Sequence, residues 1–371
     1  MEKGNKKIIR GWVMYDWANS VYNLVISSAI FPIFYDIQTK QSYASAKGYL
    51  DASGKVDISQ IKDGEAVMVK FFGVELSSSV LFSFILSASF LVVSFLSPLL
   101  SGVADYTGSK KKFLRFFCYL GALSCMTLYL FDANRIELGM LSVFLASIGY
   151  WNSLVFYNAF LPEIAEPEDH DRISARGFTM GYLGAMLLLV VCLAMIMSTS
   201  VGAEKMQYMR YAFILVGLWW IGFSQITYRA LPNNVYNKKP ESGYIWKGFR
   251  ELKLVFKEFK KTKRLKRYLL AFFFFNTGVQ TVMLMATIFA NKEIAWPEGS
   301  GSSGLIIAIL LIQILGALGA FIMSRVSSKI GNIRTLFISV SIWILICLGA
   351  FFIKTPVEFY ILASSVGLVM G

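Results

Sequence analysis

Apolar residues fall along this chain in long, nearly uncharged runs separated by short polar stretches. The runs lie at about 12–35, 80–103, 113–131, 138–161, 178–199, 209–231, 268–290, 303–324 and 333–353, and a tenth begins near 357. A helix needs roughly 20 apolar residues to cross about 30 Å of hydrocarbon at 1.5 Å per residue. The pattern therefore predicts an all-α polytopic membrane protein with ten spanning helices, the last cut by the end of the chain at Gly371.

Composition strengthens this reading and removes others. Of 371 residues, 56% are hydrophobic and 16% charged, against about 25% charge in soluble domains, so a soluble globular protein is excluded. The net charge of +13 suggests nucleic acid only until the basic residues are placed by side. With a cytoplasmic N-terminus, 26 of the 36 Lys and Arg lie on cytoplasmic segments and 10 outside, as the positive-inside rule requires. Five of those ten, Lys40, Lys47, Lys55, Lys62 and Lys70, occupy one long external segment at 36–79. No nucleic-acid partner is expected.

The chain also repeats itself. Asp105-Tyr106-Thr107-Gly108-Ser109-Lys110-Lys111 aligns with Ser328-Lys329-Ile330-Gly331-Asn332-Ile333-Arg334 at an offset of 223 residues for the glycines. That offset carries the second, third and fourth predicted helices onto the eighth, ninth and tenth. Both halves enter the membrane from one side, as parallel repeats do. The reading is an N-terminal six-helix bundle at 1–231, a cytoplasmic linker at 232–267 and a C-terminal bundle at 268–371. By the same offset the second half should finish near 454, about 80 residues and two helices further on. Within the linker, Trp246, Phe249, Leu252, Val255, Phe256 and Phe259 recur at three and four between lysines and arginines, the pattern of a basic amphipathic helix lying on a membrane surface.

Several chemistries are missing. No G-x-x-x-x-G-K-[ST] phosphate loop occurs, and the cysteines, Cys118, Cys125, Cys192 and Cys347, all sit in apolar runs without C-x-x-C spacing, so neither disulfide nor zinc is indicated. Glu163, Glu166, Glu168, Asp169, His170 and Asp171 form the one dense group of potential metal ligands. They read as a solvated acidic loop, with a metal-dependent enzyme acting on lipid at the interface as the alternative. No enzyme activity, metal or cofactor is expected.

Polar residues inside the runs are the candidate site. Asp16, Asn19 and Asn23 fall at i, i+3 and i+7 on one face of the first helix. Asp16 is roughly 6 Å into the membrane and Asn23 about 16 Å, near the midplane. A charge at a helix centre costs about 2.5–3.5 kcal/mol on insertion scales, so such a row faces protein or water. Asn276, Thr277, Gln280 and Thr281 repeat the pattern in the seventh helix, and the fourth supplies Trp151, Asn152, Tyr157 and Asn158. Asn19, Asn23, Asn152, Tyr157, Asn276 and Gln280 are the candidate solute-binding residues. Asp16 is the candidate gate or proton site. Gly177, Gly181 and Gly184 read as a close-packing seam.

The stretch Ser101-Gly102-Val103-Ala104-Asp105-Tyr106-Thr107-Gly108-Ser109-Lys110-Lys111 resembles the loop motif of the major facilitator superfamily. Tyr15-Asp16-Trp17-Ala18-Asn19-Ser20, Phe156-Tyr157-Asn158-Ala159-Phe160-Leu161-Pro162-Glu163 and Asn276-Thr277-Gly278-Val279-Gln280-Thr281 are similar to the vacuole-effluxer family, relatives of the autophagy-related amino-acid exporter. The resemblance implies a major facilitator fold of twelve helices, two six-helix bundles related by a pseudo-two-fold axis along the membrane normal, with this chain ending in the tenth. It also implies alternating access, amino-acid efflux in the fungal members, and gate roles for Asp105, Lys110 and Lys111. Ser101, Ser328 and Thr277 depart from the family pattern. The last leaves Asp16 as the one acid inside the spans mapped here.

The expectation is a monomeric secondary transporter of a small polar solute, amino acids first, exporting it with proton coupling through Asp16. It sits in a bacterial inner membrane, its partners being the solute, protons and the lipid bilayer. A non-transporting membrane scaffold or sensor, or an exporter of sugars or drugs, is the alternative.

Overall fold

A computed structural model of the chain describes residues 3–51, 54–62, 65–132, 135–199, 201–233, 253–254, 256–257, 259–297 and 301–370. The predicted helices form at all ten places. The first is α1 (Lys6–Val21), continued without a break by a π-helical stretch (Tyr22–Ile30) and α2 (Phe31–Lys47). A hairpin of β1 (Met68–Phe71) and β2 (Val74–Ser77) leads into α3 (Ser78–Thr107), followed by α4 (Lys110–Thr127), α5 (Ile136–Asn158), the single turn α6 (Leu161–Ile164), α7 (His170–Met197) and α8 (Gly202–Ala230). The second half holds α9 (Lys263–Glu293), α10 (Gly301–Ile330), α11 (Asn332–Gly349) and α12 (Pro356–Met370). Among the described residues eight helices are long and apolar enough to cross a membrane, with α12 a shorter apolar helix.

The repeat is visible in the element boundaries. Ser78 and Gly301 open α3 and α10, and Thr107 and Ile330 close them, each pair 223 positions apart. Both helices end on a glycine of positive φ, Gly108 at +66° and Gly331 at +86°, a region that a side chain would strain. The Gly108 N–H returns to the Ala104 carbonyl and the Gly331 N–H to that of Ser327.

The first helix is longer than its apolar run. The expected external loop at 36–79 begins only after Lys47, because nothing between Pro32 and Gly48 breaks a helix and Lys40 pairs with Asp36 one turn away at 2.8 Å. Gly48, at φ +72°, ends it. Tyr43 then donates to Glu65 Oε1 at 2.7 Å, tying the loop back and holding that carboxyl below its ordinary range. Of the expected linker helix, Trp246, Phe249, Leu252 and Val255 lie outside the described residues; Phe256 is exposed, with the Lys260 ammonium 4.9 Å from its ring centroid.

The chain divides into two compact units. One comprises 18–160 and 187–240. Its helices cross where side chains are absent: a Cβ on Gly149 of α5 would stand 2.4 Å from the Gly121 backbone nitrogen of α4, and one on Gly121 would strike the Trp220 ring of α8. Around this crossing Tyr22, Tyr150 and Trp220 form a triangle with ring centroids 4.8–6.1 Å apart. A second aromatic cluster, Phe31, Phe34, Tyr35, Phe131 and Phe213, fills the other end. Lipid gives apolar helices no reason to associate, so close van der Waals contact has to hold them together.

The other unit comprises 1–17, 161–186 and 241–371. Here α10 and α12 make the backbone crossing, with Gly319 against the Leu368 carbonyl and Gly367 against that of Ile312. Two apolar clusters flank it, one around Ala290, Ile294, Ala308 and Phe359, the other around Trp343, Ile346, Val366 and Val369.

A Cβ at position 149 cannot be absorbed by a flexible neighbour, since the atoms it meets are backbone. Gly149→Ala is expected to destabilise the protein by about 1–3 kcal/mol, the usual cost of overpacking, read as a lower melting temperature in detergent.

Candidate functional site

The structure sorts the polar residues of the spans into three kinds of surroundings. Some are consumed by packing. Asn152 is fully buried; its Oδ1 accepts from Ser97 Oγ at 2.9 Å and its Nδ2 donates to the Ile148 carbonyl at 3.0 Å, which fastens α5 to α3. Tyr157 is buried one and a half turns further on. Ser89 and Ser147 make a second link between the same helices at 2.7 Å. Lys111 Nζ donates to the Leu231 carbonyl at 2.8 Å and to Asn233 Oδ1 at 2.9 Å, closing the end of α8. Lys110 begins α4, and Asp105 lies in the last turn of α3.

Others stand open. Asn23 is exposed although Tyr22, Leu24, Val25 and Ile26 around it are buried. It belongs to the π-helical stretch, whose wider turn shifts the register of the backbone bonds. Ser28 is exposed too, and its Oγ donates to the Asn23 carbonyl at 2.9 Å. In the other unit Asn276, Thr277, Gln280 and Thr281 are all exposed on α9, where Thr281 Oγ1 returns to the Thr277 carbonyl at 2.8 Å. Sequence periodicity found the amides but not the π turn, which has no residue signature. Asn19 is the intermediate case: it is fully buried, Ser20 Oγ donates to its Oδ1 at 3.4 Å, and its Nδ2 has no hydrogen-bond partner. A buried unpaired donor forfeits about 1–3 kcal/mol.

A third group forms a closure that spacing did not foretell. At the membrane surface on the N-terminal side, Ser327 Oγ donates to Asp171 at 2.9 Å, joining the end of α10 to the start of α7. Deeper, Thr179 Oγ1 reaches the Ala317 carbonyl at 3.3 Å, and the Tyr182 ring lies where a Cβ on Gly316 would come within 3.1 Å of it. Tyr182 is about 18 Å along α7 at 1.5 Å per residue. These three contacts join the two helices at separate levels, from the surface to about mid-membrane. Asp16 is buried on α1 next to Trp17, whose carbonyl and ring meet Gly184 of α7. Gly177, Gly181 and Gly184 are all buried, and the last is what lets α1 approach α7.

The acidic loop is absorbed by this end of the protein. Glu166 faces Lys3 at 3.6 Å, Asp169 pairs with Arg172 at 2.8 Å, and a His170 ring nitrogen lies 3.2 Å from the Ala165 carbonyl. The Gly4 N–H donates to the Ile164 carbonyl. Among the described residues no three His, Cys, Asp or Glu side chains are grouped to hold a metal ion.

The family model described as vacuole effluxer Atg22 like matches residues 4–371. The chain belongs to that family. An MFS-type transporter of Bacillus subtilis, YxiO, is 27% identical over 374 residues, covering all of this chain and 79% of its own. Autophagy-related protein 22 of Coccidioides immitis is 24% identical, with 99% and 75% covered. Among solved structures, the proton:xylose symporter XylE superposes with a TM-score of 0.59 at 13% identity and the E. coli fucose:proton symporter FucP with 0.55 at 12%, each over 98% of this chain and 80% of the other. The fold is therefore that of the major facilitator transporters, and this vacuole-effluxer relative is an integral, multi-pass membrane transporter of that type.

The contact between α7 and α10 is sensitive to a single side chain. Gly316→Leu has to displace Tyr182, and overpacking of about 1–3 kcal/mol shifts a two-state equilibrium by about five- to hundred-fold. A cysteine at position 179 should then react several-fold faster with a membrane-impermeant thiol reagent applied from the N-terminal side.

Proposed function

We propose that this protein moves a small polar solute, amino acids foremost, out of the cytoplasm by alternating access, with protons coupled through Asp16. The N-terminus is cytoplasmic, in a bacterial plasma membrane, so the closed α7–α10 contact is the inner gate. The observation that carries the solute reading is the open amide of Asn23 at a π turn near mid-membrane. A π turn in a transmembrane helix is a frequent mark of function, and an amide left open there has a cost unless something polar is met. Asn276 and Gln280 supply the same chemistry from the repeat-related helix. Amide and hydroxyl groups without buried Lys or Arg suit a zwitterionic or neutral solute.

The coupling reading rests on Asp16. It is buried on α1 beside Trp17, where that helix meets Gly184 of α7, so a change of its charge would alter the energy of this contact. One proton crossing 100 mV is worth about 2.3 kcal/mol, roughly a fifty-fold gradient, so a single titrating carboxyl suffices.

Two measurements in proteoliposomes check these readings. Asn23→Leu and Asn276→Leu should each weaken solute affinity about five- to thirty-fold, the worth of a lost hydrogen bond of 1–2 kcal/mol, whereas Asn152→Leu should lower the melting temperature and leave affinity alone. If all three behave alike, the amides serve packing and the protein is a scaffold. Asp16→Asn should abolish accumulation driven by a pH gradient while counterflow exchange persists; accumulation at the native level would remove Asp16 from the coupling.

A further inference from the structure

The hairpin of β1 and β2 lies on the side of the membrane opposite the N-terminus, after one crossing by α1 and α2. Its register pairs Met68 with Ser77, Val69 with Leu76, Lys70 with Glu75 and Phe71 with Val74. Side chains alternate between the faces of a strand, so Val69, Phe71, Val74 and Leu76 share one face and Met68, Lys70, Glu75 and Ser77 the other. The first face is apolar throughout.

Two constraints set how this hairpin lies. Ser77 is followed at once by Ser78, the first residue of the spanning helix α3, so the base is at the membrane surface. At the other end the Phe72 N–H donates to Glu137 Oε1 at 3.1 Å, and Glu137 is in the first turn of the spanning helix α5. Both ends of the hairpin are pinned to helix ends, so it lies flat along the surface instead of standing away from it.

Burial along the apolar face then falls toward the tip. Val69 is buried, Phe71 is half-buried, and Val74 is 58% exposed. Phe72 at the turn is 78% exposed. The exposure continues on the helix that follows, where Val80 and Phe84 face outward from the first turns of α3. The turn residues themselves point the same way. Phe72 and Gly73 have φ of +46° and +84°, a two-residue turn that ordinarily takes Asn-Gly or Asp-Gly. A phenylalanine there is disfavoured by the backbone and by water alike.

We infer that the hairpin tip is an interfacial anchor, with Phe72 and Val74 inserted into the headgroup and upper acyl region of the outer leaflet while Lys70 and Glu75 face water. Aromatic rings favour that zone. The occupant of the exposed face is lipid because that face runs on into the exposed apolar side chains Val80 and Phe84, at the level where the spanning helices α3 and α5 begin. Anchoring the segment that joins α2 to α3 holds the outer ends of α3 and α5 to the bilayer plane.

The test uses the full chain carrying Cys347→Ser, with nitroxide labels placed singly by Phe72→Cys, Val74→Cys and Lys70→Cys, in vesicles of phosphatidylcholine and phosphatidylglycerol. Labels at 72 and 74 should collide often with oxygen and several-fold less with nickel-EDDA than the label at 70. Equal nickel access at 72 and 70 would place the tip in water and overturn the proposal. So would dipolar broadening between copies labelled at 72, which would make a second chain the occupant, or the same nickel protection in lipid-free amphipol, which would make it the protein itself. Because Phe72→Cys removes the ring, the unlabelled double variant Phe72→Asn with Val74→Thr gives an independent reading: its melting temperature should fall relative to the parent in vesicles and not in amphipol. An equal shift in both media would assign Phe72 to internal packing.

Discussion

Helices in a bilayer must satisfy their own backbone groups and then find some reason other than water to pack. In this protein the reason is contact between backbones at glycine. Gly121 on Gly149, Gly319 on Leu368 and Gly367 on Ile312 bring helices to a distance that any side chain would prevent. The rest follows from those crossings. They put Trp220 against Tyr22 and Tyr150 beside the π turn, and they set the two apolar clusters of the second half on either side of α10 and α12. On α7 and α10 small residues serve again, Gly184 against both the carbonyl and the ring of Trp17 and Gly316 against the Tyr182 ring.

Polar groups in the spans divide according to whether the fold uses them. The Ser97–Asn152 and Ser89–Ser147 pairs are saturated within one helix contact and act as fasteners. Asn23 and Ser28, by contrast, are presented by a stretch where the helix is wound more loosely, and the amides of α9 are exposed among the described residues of their own unit. The transporter reading depends on this contrast more than on the number of polar residues. A helix row of amides has the same spacing whether it binds a solute or a neighbour.

The side of the membrane away from the N-terminus is built on a different principle. There the chain leaves the bilayer as helix to Lys47, is drawn back by Tyr43 and Glu65, and returns as a flat hairpin tied to Glu137. These are hydrogen bonds to carboxylates from residues 22 and 65 positions away, strengthened because the acceptor is charged. The N-terminal side has an exposed ion pair, Lys3 with Glu166, and a backbone bond from the Gly4 N–H to the Ile164 carbonyl.

Much of the fold was legible in the residues alone. Ten helices, their order and the 223-residue repeat follow from apolar run lengths and one duplicated loop, since the bilayer imposes a length and lipid tolerates few charges. Even the turn glycines, 108 and 331, could be matched before any coordinates. The extension of the first helix beyond residue 35 could not, because apolar runs mark where hydrocarbon ends and a helix can continue into water. Nor could the π turn at Tyr22–Ile30, which no residue type demands. Asn23, Asn152 and Asn276 looked alike in sequence, and only packing separated the amide that fastens helices from those left open. The closure of α7 on α10 joins residues more than a hundred positions apart through a ring over a glycine, and such pairings leave no periodic mark. The sequence therefore determined which segments cross the membrane, through transfer energies that each residue carries by itself. Tertiary structure decided which polar groups remain open and which are consumed by packing, because that depends on which neighbour arrives.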